Sequence, residues 1–274
     1  MPASDPTAPL RLRAGLALCL RDPALKVQAT QRLWRERAQC PLNVTSTPAL
    51  PPACEVPGRP DRPHLRPPKE VPARSPFTPE GLAGLLHAVC HIEFNAINLA
   101  LDAVWRFNGM PPEYYDDWLR VADEESQHFA MLHGHLQQLG WRYGDFDAHD
   151  GLWQMCVKTA DDIVARMALV PRTLEARGLD ATPLIQDKLR KANTPDTLRV
   201  VALLDVILRD EVGHVAIGNH WYRWLCQQRG LDPVALYGDL VRRYDAPRLK
   251  PPFNTAARLR AGFTEVELDD LLGA

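Results

Sequence analysis

Four glutamates and two histidines carry the chemistry this sequence offers most clearly. Glu125-Ser126-Gln127-His128 and Glu211-Val212-Gly213-His214 both read Glu-x-x-His. On a helix, residues i and i+3 share a face, so each carboxylate and imidazole can point at one spot. With 12 glutamates and 9 histidines in the chain, chance gives about 0.4 such matches, so the pair needs support from its surroundings. Glu93 places a carboxylate inside the apolar stretch LLHAVCHIEFNAINLALDAVW, where an unpaired acid is costly. Glu175 is the only glutamate between Glu125 and Glu211. One glutamate from each of two helices, plus Glu-x-x-His from each of two others, is the di-iron or di-manganese constellation of a four-helix bundle. Two divalent ions carry four positive charges, which four carboxylates neutralise, and carboxylate with imidazole suits iron and manganese rather than soft metals. The expected ligands are therefore Glu93, Glu125, His128, Glu175, Glu211 and His214. Glu124 and Asp210, the acids just before the two motifs, are placed to reach a ligand histidine on a facing helix. Solvated helix-face acids are the plainer reading of both.

These ligands need long helices. Thr78-Pro79-Glu80 is a start signal, with an N-cap, a proline at the first helical position and an acid in the first turn. The pattern predicts helices over about 78–107, 112–139, 152–177 and 194–229, then a shorter one at 233–244 and a terminal one in TEVELDDLLGA. Glu93 lies 17 residues before Met110 and Glu125 lies 15 after it. At the helical rise per residue, antiparallel packing brings them within about 3 Å of one level. Glu175 and Glu211 match around Asn193-Thr194 if residues 183–192 continue the third helix after a break at Gly178 to Thr182. Pro171 predicts a kink four residues before Glu175, since it removes a backbone donor.

Of the 25 prolines, 15 precede Thr78, so residues 40–77 are excluded from regular helix and central strand. Leu50, Val56, Leu65 and Val71 punctuate that stretch, which predicts an extended arm packed across the domain surface. Residues 1–39 keep a helical pattern, with Asp22-Pro23 as a cap. No run reads as a strand. The expected organisation is an N-terminal helix and arm at 1–77, a four-helix bundle at 78–230 and a helical extension at 231–274.

The balance of 32 basic and 34 acidic side chains disfavours a general nucleic-acid coat. No uninterrupted apolar run approaches the roughly 18 residues of a membrane span, and the N-terminus lacks the pattern of a signal peptide. Six scattered cysteines without C-x-x-C suggest free thiols and a cytoplasmic location. His87, His91, His133, His135 and His220 read as structural, and Trp105, Trp118, Tyr114 and Tyr115 as packing residues.

HAVCHIEFNAINLALDAVWRF, ADEESQHFAMLHGHLQQLG, LEARGLDATP and LRDEVGHVAIGNHWY resemble the ferritin-like superfamily and, more closely, the bacterial DUF455 family. PGRPDRPHLRPPKEVPARS is similar to that family too. The resemblance implies an all-α, ferritin-like four-helix bundle whose ligand motif falls on the same six residues. It says little about substrate, because one fold hosts many functions. The expectation is a dinuclear non-haem protein with two Fe ions, or Mn/Fe or Mn, and O2 as co-substrate. It would act as an oxidase or oxygenase on a small-molecule substrate with an electron donor. Iron handling (ferroxidase, storage or peroxide scavenging) and a scaffold with a vestigial site are the alternatives. A homodimer fits this reading, a membrane does not, and tRNA is the less favoured partner.

Overall fold

The computed structural model describes residues 8–72 and 75–273. Residues 1–7 and 73–74 of the expected N-terminal segment, and residue 274 of the extension, lie outside the described residues. The protein is all-α. Among the described residues the only β pairing is an isolated bridge between Leu65 and Ala148. The chain divides into two compact units, 1–150 and 151–274.

The first unit holds α1 (Leu10–Leu18), α2 (Pro23–Glu36), α3 (Pro79–Arg106) and α4 (Pro112–Gln138). Asp22 caps α2 by accepting from the Leu25 amide, and Thr78 caps α3 by accepting from the Gly81 amide. Both caps precede a proline that lacks the donor the first helical position does not need. α3 and α4 form an antiparallel hairpin. Its turn passes through Gly109 at φ 75°, a left-handed conformation that glycine adopts without cost. Tyr115 donates to the Phe107 carbonyl and Tyr114 to the Ala103 carbonyl, so the buried tyrosines tie α4 to the end of α3. α3 is long and apolar enough to cross a membrane by composition, although polar residues interrupt its apolar run. Its apolar window is 78% buried within the protein, as a core helix would be.

Arg11 is fully buried on α1 and closes the end of α3. Its Nε donates to the Val104 carbonyl at 3.0 Å and its Nη2 to the Trp105 carbonyl at 2.7 Å. Carbonyls in the last helical turn have no partner within the helix, and a cation there also complements the helix dipole. Arg11 Nη1 reaches the Asn43 and Ser46 carbonyls, so one guanidinium joins α1, α3 and the start of the arm.

The arm is extended, as the prolines require. Its anchors differ from the expected ones: Leu65 is exposed and Leu50, Val56 and Val71 are half-buried, whereas Pro57, Gly58 and Pro63 are buried. Backbone approach decides this, because the Gly58 amide donates to the Leu18 carbonyl. Farther on, Arg59 makes a two-pronged ion pair with Asp150 at 2.6 and 2.9 Å.

The second unit holds α5 (Gly151–Lys158), α6 (Ile163–Leu169), α7 (Ala176–Ala192), α8 (Pro195–Gln228), α9 (Pro233–Arg243), α10 (Thr255–Arg260) and α11 (Glu265–Gly273). The expected third helix is interrupted at residues 159–162, not at Gly178 to Thr182. Asp162 starts α6 as an N-cap, accepting from the Val164 and Ala165 amides. α7 then runs unbroken through Gly178 and Pro183. A mid-helix glycine costs about 1 kcal/mol and proline about 3, and packing offsets them. Leu179, Gln186 and Leu189 are buried, and Gln186 donates to Asp205 and the Val201 carbonyl of α8. Between α6 and α7, Val170–Glu175 forms a π-helical turn. The predicted disturbance at Pro171 thus takes the form of an inserted residue. The Thr173 hydroxyl donates five residues back to the Ala168 carbonyl.

Candidate metal centre

In the first unit three expected ligands come together. Glu93 projects from α3, and Glu125 and His128 from α4, all buried. His128 Nδ1 stands 3.4 Å from Glu93 Oε2 and 3.3 Å from Glu125 Oε2. One donor atom from each of the three residues lies within 4.8 Å of the others. This buried Glu/His cluster has the donor types and spacing to hold a metal ion.

Its electrostatics are set by two buried acids beside one imidazole. Burial raises the Glu93 carboxyl above its ordinary range, and the nearby Glu125 charge pushes it further. Burial works against charge on His128, but hydrogen bonds and charges from Glu125 and Glu93 outweigh it and raise its pKa. Two acids out of water therefore compete for one proton-bearing ring. Cys90 and Ile97, one turn to either side of Glu93, are fully buried and keep this face of α3 dry.

In the second unit, Glu211 and His214 share one face of α8, with His214 Nδ1 3.5 Å from Glu211 Oε1. Glu211 Oε2 is buried and makes no hydrogen bond among the described residues. Glu175 is also buried and closes the π-helical turn. Such turns are rare and recur at functional sites.

The two neighbouring acids have different settings. Glu124 is half-buried on α4, while Asp210 is half-buried and pairs with Arg209 at 2.8 Å. His87 and His91 are structural: His87 Nε2 accepts from the Gly144 amide at 2.9 Å, and His91 Nδ1 bonds the Tyr143 hydroxyl at 2.8 Å. Tyr114, Tyr115 and Trp118 are fully buried, as expected of packing residues.

Arg172, on the same π-helical turn as Glu175, escaped the sequence reading. It is buried, pairs with Glu267 at 2.8 Å and donates to Asn219 at 2.5 Å. Its partners lie 47 and 95 residues away, and no local pattern announces such pairs.

The profile of the family described as "Protein of unknown function (DUF455)" matches residues 19–269. The chain belongs to the DUF455 family. A Haemophilus influenzae protein named "Uncharacterized protein" is 52% identical over 235 residues, covering 83% of this chain and 81% of that protein. No solved structure matches the chain. The DUF455 match takes in all six expected ligands and the whole of the proline-rich arm at 40–77.

Proposed function

We propose that this DUF455 protein is a dinuclear non-haem iron carboxylate protein of ferritin-like architecture, acting as an O2-activating oxidase or oxygenase. Its expected metal ligands are Glu93, Glu125, His128, Glu175, Glu211 and His214, with manganese able to replace iron. The observation that carries the reading is the buried Glu93–His128–Glu125 cluster. Two buried acids around a single imidazole repel each other, and a dication relieves that repulsion while matching both donor types. The buried Glu-x-x-His on α8 and the buried Glu175 supply the same donor set again. Four carboxylates then balance the charge of two divalent ions.

When bound, the metals would supply the dioxygen chemistry that amino-acid side chains lack. The chain's own work is positioning and exclusion. α3 and α4 hold Glu93, Glu125 and His128 on helical backbone, and apolar neighbours keep water away. The π-helical turn sets Glu175 apart from an ideal helical register, which supports a ligand whose position is tuned separately from the rest.

Oxygen uptake by the anaerobically iron-loaded protein, together with its native mass, tests this reading. The expectation is a monomer or dimer that consumes O2 on mixing and takes up no further iron. A large hollow oligomer that loads many irons per chain would replace the oxygenase reading with iron storage.

A further inference from the structure

We propose that a cavity in the second unit is a binding site for a small amphipathic anion, its apolar body held inside and its anionic group at the mouth. The cavity has a volume of about 720 Å³, within the roughly 300–1,000 Å³ typical of small-molecule sites. Its walls are apolar and aromatic: Tyr237 and Val241 from α9, and Phe263 from the turn between α10 and α11.

Charge sets the orientation. Arg172 forms part of the lining, but its guanidinium is already paired with Glu267. It also lies against the rings of Phe263 and Tyr237, at 4.6 and 5.2 Å. The interior therefore presents aromatic surface around a guanidinium that is already paired, which suits an apolar body. Arg248 and Lys250 are exposed on the lining loop and form no ion pair among the described residues. Arg242, also on the lining, pairs with Asp239. Of the two lining acids, Glu267 is held by Arg172 and Arg223. Asp270 is the other lining acid, set against two exposed cations outside any ion pair among the described residues, so the lining keeps a positive excess. A carboxylate, sulfonate or phosphate attached to an apolar body fits both ends, with Arg248 offering a planar fork of donors.

The test uses the full chain and two fluorescent probes of one shape. 8-Anilinonaphthalene-1-sulfonate carries the anion, and N-phenyl-1-naphthylamine is its neutral counterpart. The expected result is one saturable site per chain for the sulfonate. Arg248→Ala with Lys250→Ala should raise its Kd at least tenfold while moving the neutral probe less than twofold. Val241→Trp should abolish binding of both by filling the cavity. Gly238→Leu is the second filling variant, since the nearest atom to an added Cβ there is Arg242 Nη1 at 3.5 Å. Circular dichroism selects whichever of these filling variants is folded. Loss of neither probe in a folded filling variant, or an unchanged sulfonate Kd in the charge variant, would overturn the proposal. Metal content enters none of these readings, so the cavity and the dinuclear centre stand or fall separately.

Discussion

The histidines of α3 and α4 show how surroundings assign roles to one side-chain type. His128 stands between two carboxylates and is pushed toward its charged form, while His87 accepts a backbone hydrogen bond and is held neutral. Burial lowers the His87 pKa from 6.5 to about 4. The unfolded chain therefore binds more protons between those values, so stability is full above pH 6.5 and falls as pH drops through the window. At about 1.4 kcal/mol per pH unit, the loss from this residue is about 2–3 kcal/mol. His87→Gln keeps an acceptor for the Gly144 amide and removes the titration. Denaturant unfolding at pH 7 and pH 4.5 should show a smaller acid loss in the variant than in the wild type, by about that amount. Equal losses would show that His87 does not titrate this way. Sequence alone marked Glu93, Glu125 and His128, because a carboxylate in an apolar run and an i, i+3 spacing are local signals. Arg11 and Arg172 gave no such signal, since their partners are brought near only by tertiary packing.

At the scale of elements, two glycines fix how neighbouring segments meet. Gly58 lets the arm lie against the end of α1, where an added Cβ would stand 2.0 Å from the Cys19 carbonyl oxygen. Gly58→Ala is expected to cost about 2 kcal/mol or more and to open the arm to limited proteolysis. An uncleaved arm and unchanged stability would contradict that docking. Gly218 plays the same part for α8 against the π-helical turn, where a Cβ would meet Pro171 Cβ at 2.5 Å and Cγ at 2.6 Å. Gly218→Ala should cost about 1–3 kcal/mol in chemical denaturation, and a neutral result would mean the turn yields easily. Caps and prolines made the starts of α2, α3 and α8 readable. The course of the expected third helix was not, because burial of α7 against α8 overrides a glycine and a proline that locally argue for a break. α10 also went unforeseen; it is six residues long, and its Asn254 cap donates to the Leu179 carbonyl of α7.

Across the whole molecule, the six expected ligands fall into two sets of the same donor types, two glutamates and one histidine each. One comes from the α3–α4 hairpin, the other from α8 and the turn before α7. The all-α class and the positions of α2, α3, α4, α8 and α9 followed from hydrophobic period and proline distribution. The arm's anchors did not, since close backbone approach leaves little mark on composition. The proposed dinuclear chemistry requires metal on both sets, and metal content per chain decides it. Protein loaded anaerobically with ferrous iron, desalted and measured by mass spectrometry should hold about two ions per chain. A folded Glu125→Ala, Glu211→Ala variant should hold none. Folded wild-type protein without bound metal, under reducing as well as aerobic conditions, would contradict the account.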